Sequence, residues 1–218
     1  MKNLMLSTAA AVALTGAAHA GLSEVQSLNF SFPLSPGDAT LTFDQFDDQG
    51  GTRVLKEVRL FLDGFIQASV TAENDSTLPA PDFALNLSGN MSVTFGNLSG
   101  TGLFNETFNT DGSVGPSDGN PGSGPDFWDF GTVSDSATDD DDTTTDLAQY
   151  IGGGTIDADI VASGGFSVSG STDSTLVITD FGASGSVTIE YIYNIIPAPA
   201  GLAIFGAAGL AGTRRRRG

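Results

Sequence analysis

The chain contains no cysteine, and its single histidine, His19, sits close to the amino terminus. The first absence excludes a disulfide framework and any thiol chemistry. The two together exclude Ser-His-Asp and Cys-His catalysis and histidine-based zinc sites from everything beyond residue 19. Basic residues are almost as scarce. Between residues 21 and 197 only Arg53, Lys56 and Arg59 stand against all 26 Asp and Glu of the chain, leaving that body at about −23. Such a charge argues against binding nucleic acid or an anionic membrane surface, and suits solubility, high salt or divalent cations. Long helical apolar periodicity is also missing away from the two ends. What remains is rich in Gly, Ser, Thr, Asn and Asp, interleaved with Phe, Val and Ile. That is the pattern of strands joined by turn-rich loops.

The two ends differ from the body. Met1-Lys2 is a short positive segment, Leu4 to Ala18 is apolar and Ala-rich, and Ala18-His19-Ala20 is a small-x-small cleavage site. Residues 1–20 therefore read as a signal peptide, with Gly21 as the mature start. At the other end, residues 195–218 are tripartite: Ile195-Ile196-Pro197-Ala198-Pro199, an apolar run from Ala200 to Gly212, and Arg214-Arg215-Arg216-Arg217. As a helix the apolar run covers roughly 20 Å, short of a hydrocarbon core of about 30 Å. The arginines would stop transfer on the cytoplasmic side. This tail resembles the PEP-CTERM sorting signal, with Pro197-Ala198-Pro199 where Pro-Glu-Pro is usual. The resemblance implies sorting and cleavage by an exosortase-type enzyme after passage through the general secretion machinery. Membrane contact would occur only through the tail, before processing.

The body, residues 21–194, is long enough for one domain with a true core. It reads as all-β: an antiparallel two-sheet sandwich of eight to ten strands. Expected strands are Gln26–Leu34, Ala39–Phe43, Leu55–Leu62 and Phe65–Ala72, the last two joined by a hairpin turn at Asp63-Gly64. Phe83–Ser88 and Met91–Phe95 flank a second candidate turn at Gly89-Asn90, and Leu103–Phe108 adds another strand. A loop-rich acidic insert is expected over about 109–146, with helix at most at Thr145–Tyr150. Thr155–Val161, Phe166–Val168, Thr175–Thr179 and Ser186–Tyr193 follow. The last is apolar on both faces and belongs in the middle of a sheet.

Three segments are similar to the choice-of-anchor E domain: Leu41-Thr42-Phe43-Asp44-Gln45-Phe46 with Gly51, Leu55 and Val58; Tyr150-Ile151-Gly152-Gly153-Gly154-Thr155; and Gly185 to Tyr193. The resemblance implies a bacterial surface domain without established activity, and it brings no catalytic residues. In physical terms, Phe43 and Phe46 would plug one end of the sandwich, and Gly152 to Gly154 would permit a tight strand entry.

Candidate chemistry is sparse. Paired carboxylates suffice for glycoside hydrolysis, but no pair stands out, so the chain reads as non-enzymatic. Calcium suits the acids better, because it takes oxygen ligands from Asp, Asn and loop carbonyls. The candidates are Asp111, Asp118, Asn120 and Asp126 in one Gly-rich loop and Asp139, Asp140, Asp141 and Asp142 in the next. Neither set has EF-hand spacing, and a solvated acidic loop is the simpler reading of both. Phe127 and Trp128, the latter the single Trp, are candidates for stacking on a sugar, or more simply for packing a loop onto the sandwich. The leading expectation is an exported protein of the cell surface or extracellular matrix. The alternative is a Ca²⁺-assisted carbohydrate-binding module of an exopolysaccharide.

Overall fold

The computed structural model describes residues 21–34 and 37–196. The expected signal peptide with Ala18 and Ala20, the Pro197-Ala198-Pro199 motif and Arg214 to Arg217 lie outside the described residues. Among the described residues, no helix is long and apolar enough to cross a membrane.

Among the described residues, eight antiparallel strands form two four-stranded sheets packed face to face, in keeping with the alternation of apolar and polar residues. The strands are β1 (Leu22–Pro33), β2 (Gly37–Asp44), β3 (Arg53–Asn74), β4 (Ala84–Phe95), β5 (Leu98–Asn109), β6 (Phe127–Thr143), β7 (Thr155–Ser169) and β8 (Ser174–Ile195). One sheet runs β1-β8-β3-β6 and the other β2-β7-β4-β5. The strand ending in Tyr191 and Tyr193 is internal, as its two apolar faces indicate. β3 and β8 have 22 residues each, so the sandwich extends roughly 70 Å at about 3.3 Å per residue. Three apolar clusters fill it, from Phe43, Phe46 and Tyr191 at one pole, through Ala68, Val70 and Leu85, to Phe83 and Val114 at the other, bridged by half-buried Phe166, Phe181, Phe130 and Leu176.

Both expected glycine turns lie inside strands. Asp63-Gly64 is the midpoint of β3, and Gly64 pairs with Gly185 of β8 and Ala137 of β6. A Cβ on Gly64 would stand 2.8 Å from Met91 Sδ, in the facing sheet. Gly89 lies within β4, where a Cβ would come 2.7 Å from the Ser163 carbonyl oxygen and 3.3 Å from Ile66 Cδ1. These glycines let backbone and sheets approach closely; they do not reverse the chain. The reversal between β4 and β5 falls at Gly96-Asn97, between the paired residues Phe95 and Leu98, with Gly96 at φ 61°.

The expected pairs Thr155–Val161 with Phe166–Val168, and Thr175–Thr179 with Ser186–Tyr193, each merge into one long strand, β7 and β8. β8 also runs to Ile195, one residue into the segment read as tail. About half of the expected insert is strand rather than loop. Residues 127–143 form β6, an outer strand of the first sheet, and only residues 110–126 connect it irregularly to β5. Leu147–Tyr150 is a single 3₁₀ turn.

Replacing Gly89 with Val tests the role given to these glycines. The added side chain should destabilise the protein by about 1–3 kcal/mol in denaturant unfolding. A neutral result would mean that the sheets do not approach as closely as described.

Candidate functional site

The acidic run of β6 is the most unusual local arrangement. Asp has low strand propensity, yet Asp139 to Asp142 are fully extended and pair with Leu62, Phe61, Leu60 and Arg59 of β3. Alternation then divides them. Asp139 and Asp141 are half-buried and turn toward β5; Asp140 and Asp142 are exposed. The Asp141 carboxylate accepts the Ser99 N–H (2.9 Å), Asp139 accepts that of Thr101 (2.6 Å), and Asp135 accepts that of Asn105 (2.9 Å). These N–H groups belong to the outer side of β5, the free edge of the second sheet. Ala137 takes the remaining place in the series, against Gly102, where a Cβ would lie 2.9 Å from its methyl. The four residues read as metal ligands therefore point in two directions, and the two inward ones are occupied by backbone donors. The expected calcium site at Asp139–Asp142 is replaced by a carboxylate seam joining the two sheets.

A bulge sets this phase. The β3–β6 register passes over Phe130 between Asp129 and Gly131, and Gly131 adopts φ 66° while donating its N–H to Asp129 Oδ1 (2.8 Å). Trp128 and Phe130 thus share the inner side with Val133. Trp128 meets Phe130 edge-on at 6.5 Å, and Phe130 stacks on Phe83 at 6.5 Å. Trp128 and Phe127 are half-buried. Trp128 packs against the cluster of Ala72, Ala80, Phe83 and Val114 under the 110–126 loop, the packing role.

The loop pole is organised by Asn74, which is fully buried. Its Nδ2 donates to the carbonyls of Leu78 (2.9 Å) and Gly115 (2.7 Å), and its Oδ1 accepts Ser171 Oγ (2.6 Å) and the Ser76 N–H (3.2 Å). Its backbone N–H reaches the Asp126 carbonyl (2.9 Å). Asp126 is also buried; its Oδ2 accepts the Asp118 N–H (2.9 Å), while its Oδ1 has no protein partner. Asp118 Oδ1 accepts the Asn120 N–H (2.8 Å). Glu73 accepts the Gly122 N–H. Asp111 is exposed, and no hydrogen bond joins it to Asp118, Asn120 or Asp126. Among the described residues, no three acidic or histidine side chains converge.

The opposite pole is closed by aromatics around Arg53. Phe43 and Phe46 are buried, as the plug reading expects. The Arg53 guanidinium lies 4.4 Å from the Phe46 ring centre and 4.0 Å from that of Tyr193, pairs with Glu24 (2.6 Å) and donates to the Asp47 carbonyl (2.9 Å). Tyr150, fully buried, reaches the β4–β5 turn. Its hydroxyl donates to Asn97 Oδ1 (2.5 Å) and accepts the Asn97 N–H (3.2 Å). Burial raises the pKa of Tyr150 and, more strongly, that of Tyr191. No sequence signal pointed to Arg53 or to the carboxylate seam, because each depends on residues far apart in the chain.

No family model matches the chain, and no curated protein matches it. Solved structures to which it is similar include viral ones. The chain from T=1 particles derived from infectious bursal virus is 10% identical, with 92% of this chain and 51% of that chain covered at a TM-score of 0.21. Desmodium yellow mottle tymovirus is 8% identical, with 87% and 98% covered at 0.19. The chain thus spans about half the length of the first, and scores this low carry no argument about function.

Two measurements follow. Replacing Asp139 and Asp141 together with Ala should lower stability by about 1–3 kcal/mol, from two lost hydrogen bonds to carboxylates, and promote aggregation through the freed β5 edge; light scattering with denaturant unfolding reads both. The raised tyrosine pKa values mean that the folded form holds those protons more tightly. Their contribution to stability is complete below about pH 10, the unfolded value, and falls as pH rises beyond it. Tyrosinate absorbance should therefore rise together with loss of β circular dichroism in alkali.

Proposed function

We propose that this chain is an exported, non-enzymatic protein of the cell surface or extracellular matrix. It passes through the general secretion machinery, and its C-terminal segment is sorted and cleaved by an exosortase-type enzyme. The head and tail of the sequence carry the address, and the acidic body is the cargo. One structural observation supports this reading above the others. The expected mature start and the entry to the tail lie at one pole. Leu22 of β1 pairs with Tyr193 of β8, and the Ile196 N–H reaches the Thr52 carbonyl (2.8 Å). A body tethered there extends roughly 70 Å from its attachment, with the 110–126 loop outermost.

The same pole holds Arg53, Lys56 and Arg59, all near the start of β3. Pull on the tail enters β8, which is hydrogen-bonded to β1 on one side and to β3 on the other. Two neighbouring strands thus share the load, and the Arg53 cluster closes the aromatic plug beside them. Both features suit a domain held by one end. The strong negative charge elsewhere keeps copies apart and hydrated in a polysaccharide setting.

Intact mass of the protein recovered from cells and medium tests the proposal. A species beginning at Gly21 and ending near Pro197, with or without an added group, is the expected result. Deleting residues 197–218 should abolish that processing and redirect the body. A recovered mass running from Met1 to Gly218, or unchanged surface delivery after the deletion, would overturn the reading.

A further inference from the structure

The 110–126 loop buries a carboxylate that the protein leaves half unsatisfied. Asp126 is 3% exposed, and among the described residues its Oδ1, shielded from solvent, has no donor. A buried charged oxygen without a partner costs several kcal/mol in general terms, and a native fold retains one where something else satisfies it. A second carboxylate oxygen lies close by. A Cβ built on Gly124 would collide with Asp118 Oδ2 and stand 2.9 Å from Asp126 Oδ1. Two carboxylate oxygens thus converge on one small space that only glycine leaves open, and Gly124 holds φ 107° there. Both carboxylates are already oriented through their other oxygens, Asp126 by the Asp118 N–H and Asp118 by the Asn120 N–H.

Among the described residues, no protein cation relieves this pair. The basic side chains of the body are Arg53, Lys56 and Arg59, and even Arg59 lies roughly 45 Å along β3 from Glu73, the neighbour of Asn74. Arg53 and Arg59 are also engaged with Glu24, Glu57 and Glu190. Glu73 adds a further negative charge to the loop, held against the Gly122 N–H.

We propose that the loop binds a divalent cation, with calcium as the best fit, through Asp126 Oδ1 and Asp118 Oδ2. Calcium accepts carboxylates, carbonyls and water in flexible geometry. Two carboxylates on a surface loop match the weak sites of extracellular modules, with Kd about 10⁻⁴–10⁻³ M. The ion would fix the 110–126 loop onto Asn74 and the core around Trp128. This inference is independent of the route by which the chain leaves the cell.

Terbium luminescence tests it on the full chain. Trp128, two residues from Asp126 and the single Trp of the protein, serves as the sensitiser. Excitation of Trp128 should give saturable Tb³⁺ emission that millimolar Ca²⁺ displaces, and Ca²⁺ alone should raise Tm by about 3 °C. Asp126→Asn should abolish the emission. Asp118→Asn, on an exposed loop residue that keeps its backbone bond, should weaken it at least tenfold and decides the matter if Asp126→Asn does not fold. Asp140→Asn, an exposed acid on β6, should leave it unchanged. Absence of emission, equal emission from Asp118→Asn, or equal loss in Asp140→Asn would overturn the site.

Discussion

The fold depends on how the outer edge of β5 is satisfied. A sandwich leaves unpaired N–H groups along each sheet edge, and an exposed edge invites another strand to add. Here the donors of Ser99, Thr101 and Asn105 are accepted by Asp141, Asp139 and Asp135 of β6, the neighbouring edge of the other sheet. Side chains thereby do what a ninth strand would otherwise do, and the two sheets are fastened along one seam. The small pair Gly102 and Ala137 lets the edges approach between the bonded positions. On the other side, Gln26 bridges β1 to β2 by giving and taking one bond with the Asp44 backbone, at 2.9 Å each. Both open corners of the sandwich are thus closed by side chain to backbone bonds.

This arrangement gives part of the acidity a structural purpose. A chain without cysteine has packing and hydrogen bonding alone to hold it. Carboxylates are strong acceptors for backbone N–H, and on an outer strand they can remain partly hydrated. The charge that keeps the surface soluble is also the charge that closes the edge. The molecule is polar along its length as well. Cations gather where the chain enters and leaves the sandwich, and uncompensated acids gather at the loop pole.

The sequence was informative wherever alternation alone decides structure. The all-β class, the internal position of Ser186–Tyr193, the Phe43 and Phe46 plug and the packing of Trp128 all follow from which residues are apolar and how they alternate. It misled where one residue type serves two purposes. Gly64 and Gly89 look like turn residues, because a local reading cannot see Met91 or Ser163 pressing on them from another strand. Asp139 to Asp142 look like loop because isolated Asp disfavours strands, and their acceptors' partners lie about forty residues away, in β5 (Asp141 to Ser99 spans 42). The loop's three carboxylates and Asn120 were legible as a group, but only folding separates Asp118 and Asp126 from Asp111. The contribution of Gly124 was not legible at all, since it consists of an absent side chain.

Amide hydrogen exchange along β5 tests the carboxylate seam most directly. The N–H groups of Ser99, Thr101 and Asn105 should exchange slowly, although they lie on the outer side of the strand. Leu103, whose place in the series faces Ala137, supplies the control and should exchange far faster. Uniformly fast exchange at all four would show that the carboxylates do not hold this edge, and the account of how the sandwich is closed would fail.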